Sequence, residues 1–159
     1  MSESAAPLPR VAVFTPRGRT AELVAQVVEE RGAFAERRDG PEALLRHLAA
    51  VFRGEARCDA LVFTVEDIGS ADGLLDLTRT LRTQPQWSAL SAFAMAEDLE
   101  VFEHALGAQL VAVAGVRPVL RPVMRAWFTA QLQYALEERA GQYRVRDHMA
   151  QLSAEQAAA

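Results

Sequence analysis

The sequence predicts an α/β fold, a doubly wound five-stranded parallel sheet with an extended C-terminal helix, on three observations. Ala60-Leu-Val-Phe-Thr64 is a short apolar run between polar segments, the pattern of a parallel strand buried on both faces. Leu74, Leu75, Leu77 and Leu81 then recur at helical spacing, so strand, loop and helix follow one another. Apolar runs of strand length also alternate with helical patterns from Arg10 onward, which implies parallel strands joined by right-handed crossovers.

Each element has its own signal. Residues 1–9, with Pro7 and Pro9, read as a flexible leader. Arg10 to Thr15 is β-rich and gives the first strand, and Pro16-Arg-Gly-Arg19 gives a turn. Thr20 is the expected N-cap of a helix through Leu23, Val24, Val27 and Val28, which Gly32 ends. Ala33 to Arg37 is a weak second strand, and Asp39-Gly40 turns into a helix opened by Pro41, with Leu44, Leu45, Leu48, Val51 and Phe52 on one face. After the central strand and its helix, Gln84 to Trp87 is a polar connection and Ala89 to Ala94 a fourth strand. A short helix through Leu99, Phe102 and Leu106 follows, and Gln109 to Ala114 is read as the fifth strand. The last helix starts at Pro122 and carries Met124, Trp127, Phe128, Leu132 and Leu136 at helical spacing. Residues 10–140 are expected to form the domain, and 141–159 a helical extension and tail that frays after Leu152. Continuation past Gly141 to Met149 would make the helix about 28 residues and roughly 42 Å long.

A length of 159 residues suits one domain with a sizeable core. The net charge of -4 excludes a general polyanion-binding surface, so nucleic acid is not an expected partner. The single cysteine, Cys58, cannot form an internal disulfide, and no Cys/His set has metal-ligand spacing; no metal is expected. No apolar run approaches the roughly 20 residues needed to cross a bilayer. The first residues lack the basic and apolar regions of a secretory signal, so a cytoplasmic setting without membrane contact is expected.

The stretch from Asp59 to Arg82 resembles the middle of a response-regulator receiver domain. Asp72-Gly73 and Leu81-Arg82 stand in the family's places, and Asp39-Gly40-Pro41-Glu42-Ala43-Leu44 is similar to the family's Asp-Gly-x-Glu-Ala-Leu element. The resemblance covers roughly residues 10–136 and implies the strand order 2-1-3-4-5. Receiver phosphorylation needs acidic residues for Mg²⁺, an Asp nucleophile, a hydroxyl after the fourth strand and a Lys after the fifth. Here Thr15 and Pro16 replace the acidic pair, Thr64 the nucleophile and Met95 the hydroxyl. Counting from Gly107-Ala108 puts the Lys position at Ala114, whereas matching the Lys-Pro pair by type selects Arg121-Pro122. The count is preferred, since Pro122 then opens the last helix; the chain contains no lysine in either case. The expectation is therefore a pseudo-receiver, with no enzyme constellation and no cofactor.

Two other features bear on function. Arg17, Arg19, Arg117 and Arg121 come from loops at the carboxyl ends of strands, where such sheets bind ligands, and could hold an anion; the competing reading pairs these arginines with Glu66, Asp67, Glu97 and Asp98. The face receivers commonly use for partners implies an interface of Leu99, Phe102, Leu106, Trp127, Phe128, Leu132 and Leu136, and a homodimer through the last helix. The leading expectation is a phosphorylation-independent adaptor in bacterial signalling. Alternatives are a small anionic-ligand sensor, or the receiver-like wing domain of pyridoxal-phosphate Orn/Lys/Arg decarboxylases, to whose central strand Ala60-Leu-Val-Phe-Thr-Val-Glu-Asp67 is similar.

Overall fold

The computed structural model describes residues 8–15 and 18–158. Five strands, β1 (Arg10–Phe14), β2 (Phe34–Arg37), β3 (Ala60–Thr64), β4 (Ala92–Ala96) and β5 (Val116–Leu120), form one sheet in the order β2-β1-β3-β4-β5. Every pairing is parallel, and the register sets Thr64 opposite Met95 and Met95 opposite Val119. The helices are α1 (Arg19–Glu30), α2 (Pro41–Phe52), α3 (Ala71–Arg82), α4 (Glu100–Glu103), α5 (Ala105–Val111) and α6 (Arg125–Ala158). A 3₁₀ turn over Val65–Ile68 leads out of β3.

Helices cover both faces of the sheet. Val24, Val27 and Val28 of α1, with Phe128, Leu132, Ala135 and Leu136 of α6, pack on Val11, Val13, Val62, Phe93 and Val119. Leu44, Leu48 and Val51 of α2, Leu77 and Leu81 of α3 and Leu110 of α5 pack on Ala12, Leu61, Phe63 and Ala94. β3 and β4 are buried along their whole length, as expected for central parallel strands.

Several boundaries differ from those expected. Thr20 lies inside α1, whose N-cap is Gly18. α3 begins at Ala71, three residues before Leu74, and Ser70 caps it, its hydroxyl accepting the Gly73 N–H at 3.0 Å. β4 starts at Ala92, not Ala89. The largest correction is at the fifth strand: Gln109 to Val111 complete α5, and Ala112 to Gly115 form a turn before β5. Leu110 and Val113 are apolar because they face the sheet, and a run this short does not separate a buried helical face from a strand. Gly107 is not the helix-to-strand junction either. It allows α5 to meet α4: a Cβ there would lie 1.9 Å from the Val101 carbonyl oxygen. Gly115, at φ +90°, makes the actual junction.

The last helix also exceeds expectation. α6 runs unbroken for 34 residues to Ala158, through Gly141 and the Ala-rich end expected to fray. At 1.5 Å per residue that is about 51 Å. Beyond the sheet, Arg139 (1% exposed) and Tyr143 (3% exposed) hold it down. The Tyr143 hydroxyl donates to the Cys58 carbonyl at 2.9 Å and accepts the Cys58 N–H at 3.0 Å. Arg139 Nε donates to the same carbonyl at 2.9 Å, and its Nη1 reaches Ser88 Oγ and Gln142 Oε1, both at 2.7 Å. Trp87 packs on Tyr143 with ring centroids 5.4 Å apart, and the guanidiniums of Arg57, Arg139 and Arg146 each lie 4.6 Å from the Tyr143 centroid.

Candidate functional site

The carboxyl ends of β1, β3, β4 and β5 meet at one edge, and this edge holds three of the degenerate receiver positions, Thr15, Thr64 and Met95. Thr64 closes β3 fully buried beside Met95, also fully buried, and Thr15 follows β1 at 6% exposure. The Thr64 and Thr15 hydroxyls find no hydrogen-bond partner among the described residues. A buried hydroxyl without a partner costs about 1–3 kcal/mol. Thr64→Val, which keeps the shape and removes the hydroxyl, is therefore expected to raise stability by about 1 kcal/mol, read as a Tm increase of roughly 2–4 °C. A fall in Tm would show that Thr64 makes a polar contact in solution.

Neither Thr64 nor Met95 supplies a carboxylate, and no cluster of three or more His, Cys, Asp and Glu able to hold a metal occurs among the described residues. Cys58, buried at the far end of β3, has its thiol pushed up to about 11 by burial, so it stays protonated near neutrality. Ala114 is exposed in the turn before β5, so the count from Gly107-Ala108 fails with the strand it assumed. The residue that follows the fifth strand is Arg121, the choice made by residue type.

Among the described residues, Arg117 and Arg121 point to separate partners and, with Arg19, do not form one cluster. Arg17 and Pro16 lie outside the described residues. Arg19 opens α1 and is exposed. Arg117 sits near the start of β5 and turns under α6, donating to Gln131 Oε1 at 2.9 Å and lying 3.5 Å from Glu138. Arg121 is engaged by Glu97 at 3.3 Å and Glu66 at 3.6 Å, the ion-pairing alternative. Asp67 instead lines a cleft of about 270 Å³ with Phe14, Thr15, Arg37, Arg38 and Asp39.

Beside this edge lies an apolar groove of about 520 Å³, lined by Leu99, Pro118, Val119, Leu120, Pro122, Met124 and Trp127. Of the seven residues expected at an interface, only Leu99 (54% exposed) and Trp127 (40%) line it. Leu106 is half-buried, while Phe102, Phe128, Leu132 and Leu136 belong to the core, Phe128 meeting Phe93 edge-on at 5.3 Å. Helical spacing identified the inward face of α6 correctly and offered it as the outward one. On and just before α6, Leu120 (42%), Met124 (73%), Tyr134 (62%), Val145 (52%), Met149 (45%) and Leu152 (45%) are exposed apolar residues that this reading missed. The available signal was the second stripe on α6, set apart from Phe128, Leu132 and Leu136 around the helix.

No helix of the described residues is long and apolar enough to cross a membrane. No protein-family model matches the chain, and no curated protein matches it in sequence. Solved structures do match in shape. The signal receiver domain of an HD domain-containing protein from Pseudomonas fluorescens Pf-5 is 14% identical, with a TM-score of 0.66 over 90% of this chain and 97% of that one. The chemotaxis response regulator CheY4 of Vibrio cholerae is 15% identical, with a TM-score of 0.59 over 82% of this chain and 100% of that one. A fusion carrying amino acids 181–211 of the yeast Spc42 trimeric coiled coil is 13% identical, with a TM-score of 0.61 over 94% of this chain and 95% of that one. Strand order, all-parallel pairing and these matches agree: the chain has the fold of response-regulator receiver domains.

Proposed function

We propose that this chain is a phosphorylation-independent signalling adaptor that works by protein contact and pairs with a second copy of itself through α6. The observation that carries the reading is an exposed apolar stripe along α6. Trp127, Tyr134, Val145 and Leu152 follow one another at intervals of 7, 11 and 7 residues. Both intervals nearly complete whole turns of an α-helix, so the four side chains stay in line from the groove to the free end.

Gly141 lies on the same line, seven residues after Tyr134. A glycine in a helix interior costs about 1 kcal/mol relative to alanine. Nothing in this chain's own packing asks for it, since a Cβ there would meet only the Arg144 guanidinium, at 3.6 Å. A missing side chain in the middle of an apolar stripe is what a crossing helix needs. The line is apolar at Trp127 and Tyr134 and again at Val145 and Leu152, with Glu138, paired to Arg117 at 3.5 Å, and Gly141 between them, and a two-fold pair would bury both ends on both copies at once. The receiver-like fold without a carboxylate at Thr64 supports action by contact. A likeness to a fusion that carries a coiled coil, over 94% of the chain, is in keeping with association through the extension.

Light scattering of the full chain and of the triple variant Val145→Gln, Met149→Gln, Leu152→Gln tests this. These residues are exposed, so the fold should survive. The native chain is expected to show twice the monomer mass, and the variant the monomer mass with unchanged circular dichroism. Gly141→Ala is expected to stiffen the helix yet weaken pairing. A native chain that stays monomeric at high micromolar concentration would contradict the reading.

A further inference from the structure

Glu66 ties three strand ends together through one carboxylate. It stands two residues beyond Thr64, on the 3₁₀ turn that leaves β3. Its Oε1 accepts the backbone N–H of Glu97, the first residue after β4, at 2.8 Å. Its Oε2 lies 3.6 Å from Nη2 of Arg121, the first residue after β5. The same guanidinium nitrogen reaches Glu97 Oε1 at 3.3 Å, and the Arg121 N–H donates to the Ala96 carbonyl at 2.9 Å. The cluster is unevenly shielded: the Arg121 side chain is 18% exposed and that of Glu66 35%, whereas that of Glu97 is 76% exposed, so water screens the Glu66–Arg121 pair less than the Glu97–Arg121 pair.

The segment it secures is short, and its other anchors lie further along the chain, at Phe102 in the core and at the close approach of α4 to Gly107. α4 is a single turn of four residues, too short to be stable by itself, and it breaks at His104 before α5 begins. The residues flanking the cluster also build the groove. Leu99 follows two positions after Glu97, and Leu120 and Pro122 bracket Arg121. The spacing between Glu97 and Arg121 therefore sets the relation between Leu99 and the β5 wall.

We propose that Glu66 is an internal anion that holds the β4–α4 segment and the adjoining groove in one conformation, without any added phosphate. An external anion entering at this edge would have to displace Glu66 from Arg121. The inference concerns the shape of the groove within one chain, so it can fail or hold independently of self-association.

Hydrogen exchange read by mass spectrometry on the full-length protein tests it, at concentrations where the chain is monomeric. Glu66→Ala is expected to speed exchange across residues 97–106 about tenfold, while β1, β3 and residues 128–136 of α6 keep their rates. Glu66→Gln, which retains the acceptor for the Glu97 N–H and loses the ion pair with Arg121, should give a smaller rise in the same segment. It also keeps the test available if the alanine variant fails to fold. Sodium acetate at about 0.1 M should restore protection to the alanine variant more than sodium chloride at equal ionic strength, which only screens. Unchanged exchange over 97–106 in both variants would overturn the proposal. So would an equal rise in every segment, or equal restoration by chloride.

Discussion

Gly107→Ala is expected to lower stability by about 3 kcal/mol, a Tm drop of roughly 6–12 °C for a chain of this size. The reason is contact, not dihedral freedom. A Cβ at this position would stand 1.9 Å from the Val101 carbonyl oxygen and 2.9 Å from the Phe102 Cα, and both are backbone atoms that cannot swing aside. α5 would have to lift away from α4, taking Leu110, fully buried on the sheet, part of the way out of the core. Thermal melts followed by circular dichroism check the size of the loss. A Tm within about 2 °C of the native value would mean that the α4–α5 approach is looser in solution.

Arg139→Ala is expected to cost about 2–4 kcal/mol, and Arg139→Met to recover most of it. A buried guanidinium invites the explanation that its hydrogen bonds are what matter, but its partners are served without it. The Cys58 carbonyl still accepts from the Tyr143 hydroxyl at 2.9 Å, Ser88 still donates to Gln84 at 2.7 Å, and Gln142 Oε1 still accepts the Ala89 N–H at 3.0 Å. Few polar atoms are orphaned by the change, so the cavity dominates, and a long apolar side chain should fill it. Equal losses for Ala and Met in chemical denaturation would reverse that ranking and give the hydrogen bonds the larger share.

The central strand and the helix after it were legible because burial on both faces leaves a composition that little else produces: Ala60 to Thr64 is apolar up to its last residue, and all of it is buried. The error at Gln109 to Ala114 has the same origin. A short amphipathic helix lying flat on a sheet also shows an apolar run, and Gly107, read as a junction, marks a helix-to-helix approach that only three-dimensional packing reveals. At the candidate site, the absence of an acceptor carboxylate at Thr64 was visible from position alone. The role of Glu66 was not, because it depends on a backbone N–H from Glu97, and backbone donors leave no trace in side-chain patterns. Arg139 and Tyr143 were hidden differently: they share a helical face with Leu132 and Leu136, but their partners are a main-chain carbonyl and a tryptophan in a segment read as a polar connection.

The grip of Cys58 and Trp87 on Tyr143 turns α6 into a lever. The 15 residues that follow Tyr143 extend about 22 Å at 1.5 Å per residue, and apart from Arg146, stacked on Trp87, all of them are exposed. An α-helix resists bending far more than a loop does, so a tilt of about 5° at the grip would carry the tip sideways by about 2 Å. Small rearrangements in the loops that precede β3 and β4 are thereby converted into displacement at a distance. Whatever binds the end of α6 would sense the opposite side of the sheet from the one where receivers keep their chemistry.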